Sequence, residues 1–140
     1  MPFELSIVTP AGTAFEESVT TVVLPGTEGQ FGVLPGHVRF LTPLVIGEAV
    51  IQTPRGARYA ALSDGFAEVT QDHVTVMVDT CELGSDIDVA RAERAKVRAE
   101  QALVAARQSA HDESLFRREE AALRRAINRI STAKAEDHRA

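Results

Sequence analysis

The glycines between Leu24 and His37 are the first candidates for chemistry, because glycine-rich loops often hold phosphate groups. This stretch lacks the Gly-Lys-Ser/Thr ending through which a phosphate-binding loop contacts its nucleotide. The chain has two lysines, Lys96 and Lys134, and both lie far along the sequence. Turns and tight β corners account for the glycines, so we expect no phosphate-binding loop here.

The histidines and the serine at position 63 offer no catalytic arrangement either. His37 has no nucleophile or acid organised around it as in a triad, and we expect it to have a structural role. His73, His111 and His138 stand apart from one another, so their spacing predicts no metal site. Ser63 lies in a Ser-Asp-Gly turn that lacks the Gly-x-Ser-x-Gly frame of a nucleophile elbow. We therefore expect a protein that works by binding other proteins, without a cofactor of its own.

Length and composition indicate one ordinary domain, or one domain of about 85 residues with an appendage. The chain has 140 residues, of which 44% are hydrophobic, and its one cysteine, Cys81, excludes an internal disulfide. No apolar run approaches the ~20 residues that a membrane-spanning helix needs, and no signal-peptide pattern opens the chain. We expect a cytosolic protein, or one held at a membrane through its partners and not inserted into it.

Charge is distributed unevenly between the two parts of the chain. Residues 1–84 carry three arginines against ten acidic residues, whereas residues 85–140 carry twelve basic residues against ten acidic ones. An acidic first part is unsuited to binding a phosphate backbone, and the arginines of the second part are interleaved with glutamates. The pattern therefore argues against a nucleic-acid partner.

Short segments typical of β-strands follow one another over residues 1–84. Hydrophobic side chains alternate with other residues in 3–8 and in 74–78, which is the period of a half-buried strand. Turn residues rich in Pro, Gly and Asp separate these segments from further predicted strands at 19–24, 44–53, 58–63 and 66–70. This spacing predicts a β-sandwich or barrel, and it leaves no room for crossover helices.

At Gly84 the pattern changes to one typical of helices. Residues 85–88 indicate an N-terminal cap, and no Gly or Pro interrupts residues 87–109. A stripe of alanines follows at three- and four-residue spacing: Ala92, Ala95, Ala99, Ala102 and Ala106. A second helix is predicted over 115–133, and its apolar stripe comprises Phe116, Leu123, Ile127 and Ile130. The short polar link at 108–114 predicts an antiparallel hairpin.

The sequence thus predicts an α+β protein, with an N-terminal β-sandwich head at 1–84 and a C-terminal two-helix hairpin at 85–140. Alanine favours helix formation, but each alanine methyl group contributes only about 0.8 kcal/mol or less when it is buried. A hairpin that packs through alanines is therefore held weakly. We expect that it can open, or that it can pair with an outside helix.

Three segments of the sequence carry a resemblance to a known family. They are VVLPGTEGQFGVLPGHVRFLTPLVIGEAVI at 22–51, SDGFAEVTQDHVTVMVDTCE at 63–82 and DIDVARAERA at 86–95. Together they resemble the epsilon subunit of the F-type rotary ATP synthase, which is called delta in mitochondria. The resemblance runs along almost the whole chain in the family's order, and the Leu-Pro-Gly block that ends at His37 is its most specific part.

The resemblance implies a non-catalytic subunit of the central stalk of a proton-translocating ATP synthase. The head would bind the gamma subunit and the c-ring and rotate with them, on the cytoplasmic face of a bacterial membrane. The hairpin would alternate between a state folded against the head and a state extended along gamma. In the extended state it would inhibit ATP hydrolysis by the catalytic alpha and beta subunits.

The resemblance also implies two sets of functional residues. Ile87 to Ala92 resembles the Ile/Leu-Asp-x-x-Arg-Ala motif through which some bacterial members bind ATP as a regulatory ligand. By this resemblance the nucleotide site comprises Glu82, Asp88, Arg91, Arg98, Arg125 and Arg129. An ordinary pairing of Asp88 with Arg91, or a helix cap, is the alternative. The residues expected to contact an acidic segment of the catalytic subunits are Arg117, Arg118 and Arg124.

Two other classes of function remain as alternatives. One is a β-sandwich ligand-binding module with a helical oligomerisation tail, but 5% aromatic residues provide little for an aromatic binding platform. The other is an enzyme, which the sequence disfavours because no nucleophile, base or metal-ligand set converges. Co-purification with gamma and the catalytic subunits would distinguish these alternatives.

Overall fold

A computed structural model describes residues 2–108 and 113–137. The described part begins with ten strands: β1 Phe3–Thr9, β2 Gly12–Val19, β3 Thr21–Gly26, β4 Gly29–Val33, β5 Phe40–Leu44, β6 Gly47–Thr53, β7 Gly56–Leu62, β8 Gly65–Val69, β9 His73–Val78 and β10 Cys81–Leu83. A 3-10 turn at Gly84–Asp86 leads into helices α1, Val89–Gln108, and α2, Glu113–Asp137. The predicted fold class, a β-sandwich followed by two helices, is confirmed.

The strands form one continuous sheet that folds around the core of the head. Their order is β10-β7-β6-β3-β5-β8-β9-β1-β2, and β4 pairs with β3 alongside this path. All strand pairs are antiparallel except β1 with β9. Alternate side chains of the strands point into one core, which includes Leu5, Ile7, Ile51, Val74 and Val76.

Four strands lie outside the predicted ones, and each has a weak sequence signal. Strand β2 carries Glu16 and Glu17 and buries only its fourth and eighth residues. Strand β4 has glycine at two of its five positions, and strand β10 is only three residues long. Strand β5 contains Pro43, and proline is uncommon in central strands because it has no backbone N–H to donate. Pairing with neighbouring strands orders all four, so local propensity could not reveal them.

Helix α1 begins two residues later than predicted, at Val89. The Asp88 side chain accepts a hydrogen bond from the Arg91 backbone N–H at 3.1 Å, and this contact caps the helix. Ile87 remains outside the helix and is buried with Ala61 and Ala133. Helix α2 extends beyond the predicted 115–133 at both ends. Most of the predicted link, residues 109–112, lies outside the described residues.

The two helices pack against each other through small side chains. Helix α1 buries Ala92, Ala99 and Ala106, and α2 buries Ala126 and Ile130, as well as Thr132 and Ala133 on the side next to the head. Of the predicted apolar stripe of the second helix, Ile130 is buried, whereas the Ile127 side chain is 47% exposed. One residue advances an α-helix by about 100°, so Ile127 lies to the side of Ala126. The hairpin contacts the head mainly through α2, which lies against β6, β7, β10 and the 3-10 turn.

The boundary between head and hairpin at residue 84 stays a prediction, and truncation tests it. The main core contains residues from Phe3 to Val78, and the partly buried Leu83 that packs against it also precedes the boundary. We therefore expect residues 1–84 to fold alone, with a melting temperature within about 10 °C of that of the full chain, since small methyl groups contribute little each. Circular dichroism of both chains is the measurement. An unstructured 1–84 chain would mean that the hairpin is part of one indivisible core.

Candidate functional site

A cleft of about 600 Å³ lies where the head meets the first turns of α1. Its walls come from the β1–β2 turn, from the segment 79–82, from Asp86 to Asp88, from α1 and from one residue of α2. Five of the six predicted nucleotide-site residues line it: Glu82, Asp88, Arg91, Arg98 and Arg129. These five residues, which are up to 47 positions apart in sequence, thus meet at one cleft.

Helix α1 supplies the arginines of one wall. Arg91 and Arg98 are seven residues apart, so two helical turns bring both onto the same face. The cap formed by Asp88 fixes the start of this helix, and with it the position of Arg91. A guanidinium group offers several N–H donors in a planar fork that matches phosphate and carboxylate oxygens. This wall can therefore bind an anion.

An ion pair between α2 and β10 forms the opposite wall. The Nε of Arg129 donates to Oε1 of Glu82 at 2.5 Å, and both side chains are about one-third exposed. This contact ties the second helix to the last strand of the head at the edge of the cleft. A ligand that binds here would meet an arginine that already has an anionic partner.

Arg125 is the one predicted site residue that the structure does not bring to the cleft. It lines a small adjoining depression together with Ser63, Thr80 and Asn128. Because it precedes Arg129 by four residues, it lies about one turn, roughly 6 Å, closer to the N-terminal end of α2. Glu82 and Arg129 line both spaces, so Arg125 lies behind their ion pair and not over the cleft.

Sequence reasoning missed other residues of the cleft, among them Asp79, Cys81 and Asp86. All three are close in sequence to Glu82 and Asp88, and that proximity was the available signal. Burial and, to a smaller extent, the charge of the adjacent Glu82 together raise the pKa of the Cys81 thiol to about 11. Cys81 is therefore a protonated, weakly nucleophilic thiol at neutral pH.

A second candidate surface is an exposed apolar patch on the outer face of the head. The patch comprises Leu41 and Pro43 of β5, Phe66 of β8 and Met77 of β9. Phe66 pairs with Pro43 on one side and with Met77 on the other, so these side chains are neighbours on one face. The exposed fractions of Leu41, Phe66 and Met77 are 64%, 52% and 41%. Such a contiguous apolar patch is typical of a protein-binding surface.

Comparison with protein families matches both parts of the chain. Residues 2–84 match the ATP synthase delta/epsilon chain beta-sandwich domain, and residues 85–134 match the corresponding long alpha-helix domain. The chain belongs to the ATP synthase delta/epsilon chain family. The resemblance predicted from the sequence is thereby confirmed.

Members of this family are similar to the chain over nearly their whole length. The ATP synthase epsilon chain of Pediococcus pentosaceus is 44% identical over 131 residues, which cover 93% of this chain and 94% of that one. The epsilon chain of Halalkalibacterium halodurans is 41% identical over 129 residues, covering 92% and 95% respectively.

Solved structures share the fold at lower sequence identity. A chain in the Euglena gracilis mitochondrial ATP synthase superposes with a TM-score of 0.76 at 22% identity, covering 91% of this chain and 78% of that one. A chain in the central stalk and c-ring of the Tetrahymena thermophila mitochondrial enzyme gives 0.52 at 13% identity, with 61% and 68% covered. These two similarities support the fold alone.

The three arginines predicted to contact a partner of this family member lie on the surface of α2. Arg117, Arg118 and Arg124 are exposed, and an Arg118 nitrogen lies 3.8 Å from the Glu119 carboxylate. None of the three lines the cleft. Among the described residues, no helix is long and apolar enough to cross a membrane.

Proposed function

We propose that this chain is a non-catalytic subunit of the central stalk of a proton-translocating ATP synthase, where it joins the gamma subunit to the c-ring. The observation that carries the proposal is the 44% identity with an ATP synthase epsilon chain over 93% of this chain and 94% of that one. Co-purification of a tagged chain with gamma and the c-ring tests it. Recovery of the chain alone from membranes that contain the enzyme would contradict it.

The apolar patch supports a docking role for the head. Burying apolar surface contributes roughly 25 cal/mol per Å², so a patch of four neighbouring apolar side chains can anchor a partner. The exposed Leu34 and Val38 of the β4–β5 loop form a further apolar surface. We assign the patch to gamma and the loop to the c-ring. Through these partners the chain would be held at the cytoplasmic face of a bacterial membrane without inserting into it.

The hairpin is the regulatory element in this proposal. Helix α2 lies on the head, and the buried apolar cluster between them consists of Ala61, Ile87 and Ala133, so release of the hairpin loses little buried apolar area. After release the hairpin would extend along gamma and inhibit ATP hydrolysis. Exposed arginines at 117, 118 and 124 would then contact an acidic segment of the alpha and beta subunits. Each exposed ion pair contributes only ~0–1 kcal/mol, but several together can shift a balanced equilibrium.

ATP is the regulatory ligand that we assign to the cleft. The cleft has walls from β10, α1 and α2, so a ligand that contacts all three holds the hairpin against the head. Arg91 and Arg98 would bind the phosphates, and Arg129 would contribute from α2. Because coupling between two equilibria is reciprocal, ATP binding would stabilise the folded hairpin by the same factor by which folding of the hairpin raises the affinity for ATP.

Replacing Arg91 by Ala is expected to remove most of the stabilisation that ATP gives the isolated chain. A ligand at 100 times its Kd raises the free energy of unfolding by about 2.7 kcal/mol, which corresponds to a shift of several degrees in melting temperature. The measurement is thermal unfolding with and without millimolar ATP. Arg94→Ala is the matched control, since Arg94 is exposed on the same helix and lies outside the cleft lining. Equal shifts in the wild-type chain and both variants would exclude Arg91 from the site.

A further inference from the structure

The face of α2 that packs against the head carries Asn128, the only asparagine of the chain. Its side-chain amide donates to the backbone carbonyl of Gly47, the first residue of β6, at 2.8 Å. Because the asparagine side chain is short, a hydrogen bond of this length leaves the helix backbone little room to move relative to β6 at this point. The bond joins residues 81 positions apart, so no local pattern in the sequence predicts it.

The acceptor of this hydrogen bond is held firmly by the sheet. Gly47 pairs with Leu62 of β7. A Cβ atom added to Gly47 would lie 2.5 Å from the Cβ of Pro25 on β3, so the backbone here packs closely against that strand. The amide of Asn128 is therefore tied to a fixed point of the head.

Asn128 and Arg129 reach strands on opposite sides of β7. The strand order β10-β7-β6 places β7 between their two partner strands, which are roughly 10 Å apart. Consecutive residues point about 100° apart around a helix, so Asn128 contacts β6 while Arg129 contacts Glu82 of β10. Helix α2 thus lies over β7 and is held from both sides at this turn.

The contact between Arg129 and Glu82 depends closely on where the helix backbone lies. It is made by Nε, which is nearer to the backbone than the two terminal nitrogens of the guanidinium group. Further along α2, a Cβ atom added to Gly84 would lie 3.0 Å from the Thr132 carbonyl oxygen and 2.7 Å from the Glu136 Cβ. This close packing holds the last turns of α2 on the head independently of Asn128. Loss of the Asn128 contact is therefore expected to shift the turn at Arg129 without releasing the helix.

We propose that Asn128 is a positioning residue of the cleft. It does not line the cleft itself, and it acts by holding the turn of α2 that brings Arg129 to Glu82 at the cleft edge. The hydrogen bond to Gly47 thereby couples the position of the hairpin on the sheet to the shape of the anion-binding wall. This inference rests on the proposed function only in treating the cleft as the binding site for ATP.

Replacing Asn128 by Ala tests the proposal, because alanine removes the amide and favours the helix. The measurement is nuclear magnetic resonance of the isotope-labelled isolated chain, in which the Arg129 Nε–H signal is identified by its loss in Arg129→Lys. We expect this proton to exchange with water about tenfold faster in Asn128→Ala, in line with the loss of a hydrogen bond to a charged group. Its chemical shift is expected to move to that of an exposed arginine.

Ser131→Ala is the matched control, since Ser131 is exposed on the same helix and lies outside the contact with the head. We expect it to change the exchange of the Arg129 Nε–H by less than about twofold, because surface substitutions usually have small effects. Circular dichroism of both variants verifies that the helices are formed.

Backbone hydrogen exchange at 132–136 separates positioning from docking. A residue that only stabilises docking would speed this exchange and leave the Arg129 Nε–H signal in place. An unchanged Arg129 signal in Asn128→Ala therefore overturns the proposal. Backbone exchange at 132–136 that rises more than about hundredfold overturns it equally, because the whole hairpin has then left the head.

Titration of the same chains with ATP separates this inference from the proposed function. We expect ATP to bind Asn128→Ala about tenfold more weakly than the wild-type chain, since Arg129 is then out of place. A shifted Arg129 signal in a chain whose wild-type form does not bind ATP would support the positioning role and contradict the assignment of ATP. An unchanged signal together with wild-type ATP affinity would contradict the positioning role alone.

Discussion

Replacing Phe66 with Asp is expected to prevent incorporation of the chain into ATP synthase while the head stays folded. Phe66 is half exposed at the centre of the apolar patch, so the substitution leaves the core of the head intact. A carboxylate at this point would be buried without a partner in the complex. Such a charge costs several kcal/mol, which lowers affinity by at least about 100-fold.

The measurement is recovery of gamma and the c-ring with the tagged Phe66→Asp chain. Thr13→Asp is the control, because Thr13 is exposed on β2 and lies outside the apolar patch. Circular dichroism of both variants verifies that the head is folded. Full recovery of partners with Phe66→Asp would mean that another face of the head binds gamma.

The general architecture of the chain could be predicted because two periodic patterns dominate it. Alternation near Leu5 and near Val76 predicts strands that bury one side, and both residues are in the core. The strands at Gly12–Val19 and Gly29–Val33 are ordered by hairpin pairing with the strands that immediately precede them, and their own hydrophobic patterns are weak. Sequence reasoning finds elements that bury a face of their own, and it misses those that depend on a neighbour.

The candidate site could be predicted only through the resemblance to a family. Glu82 and Arg129 contact each other across 47 positions, and no local pattern predicts that pairing. The position of Arg125 outside the cleft depends on how α2 rotates over the head, which the packing around Gly84 and Thr132 fixes. Residue types could indicate anion binding, whereas the three-dimensional arrangement had to come from the fold.

Fixing the hairpin to the head is expected to relieve inhibition of ATP hydrolysis in the assembled enzyme. Ala61 on β7 and Ala133 on α2 are small residues buried in one cluster with Ile87, so we choose these two positions for an engineered pair of cysteines. Cys81→Ser in the same chain removes the competing thiol. The oxidised hairpin cannot reach the catalytic subunits, and reduction frees it.

An independent variant tests the proposed contact between the extended hairpin and the catalytic subunits. Replacing Arg117, Arg118 and Arg124 by Ala leaves the hairpin free to move but removes the cations expected to hold it in the extended state. We expect this variant to relieve inhibition under reducing conditions as well.

The most direct test of the regulatory role is the steady-state rate of ATP hydrolysis by the enzyme reconstituted with the Ala61→Cys/Ala133→Cys/Cys81→Ser chain, measured before and after reduction. The rate is expected to be several-fold higher in the oxidised enzyme and to fall to the wild-type level when the disulfide is reduced. The chain must remain bound in both states, which pull-down verifies. Equal rates in the oxidised and reduced enzymes would contradict the claim that this hairpin controls hydrolysis.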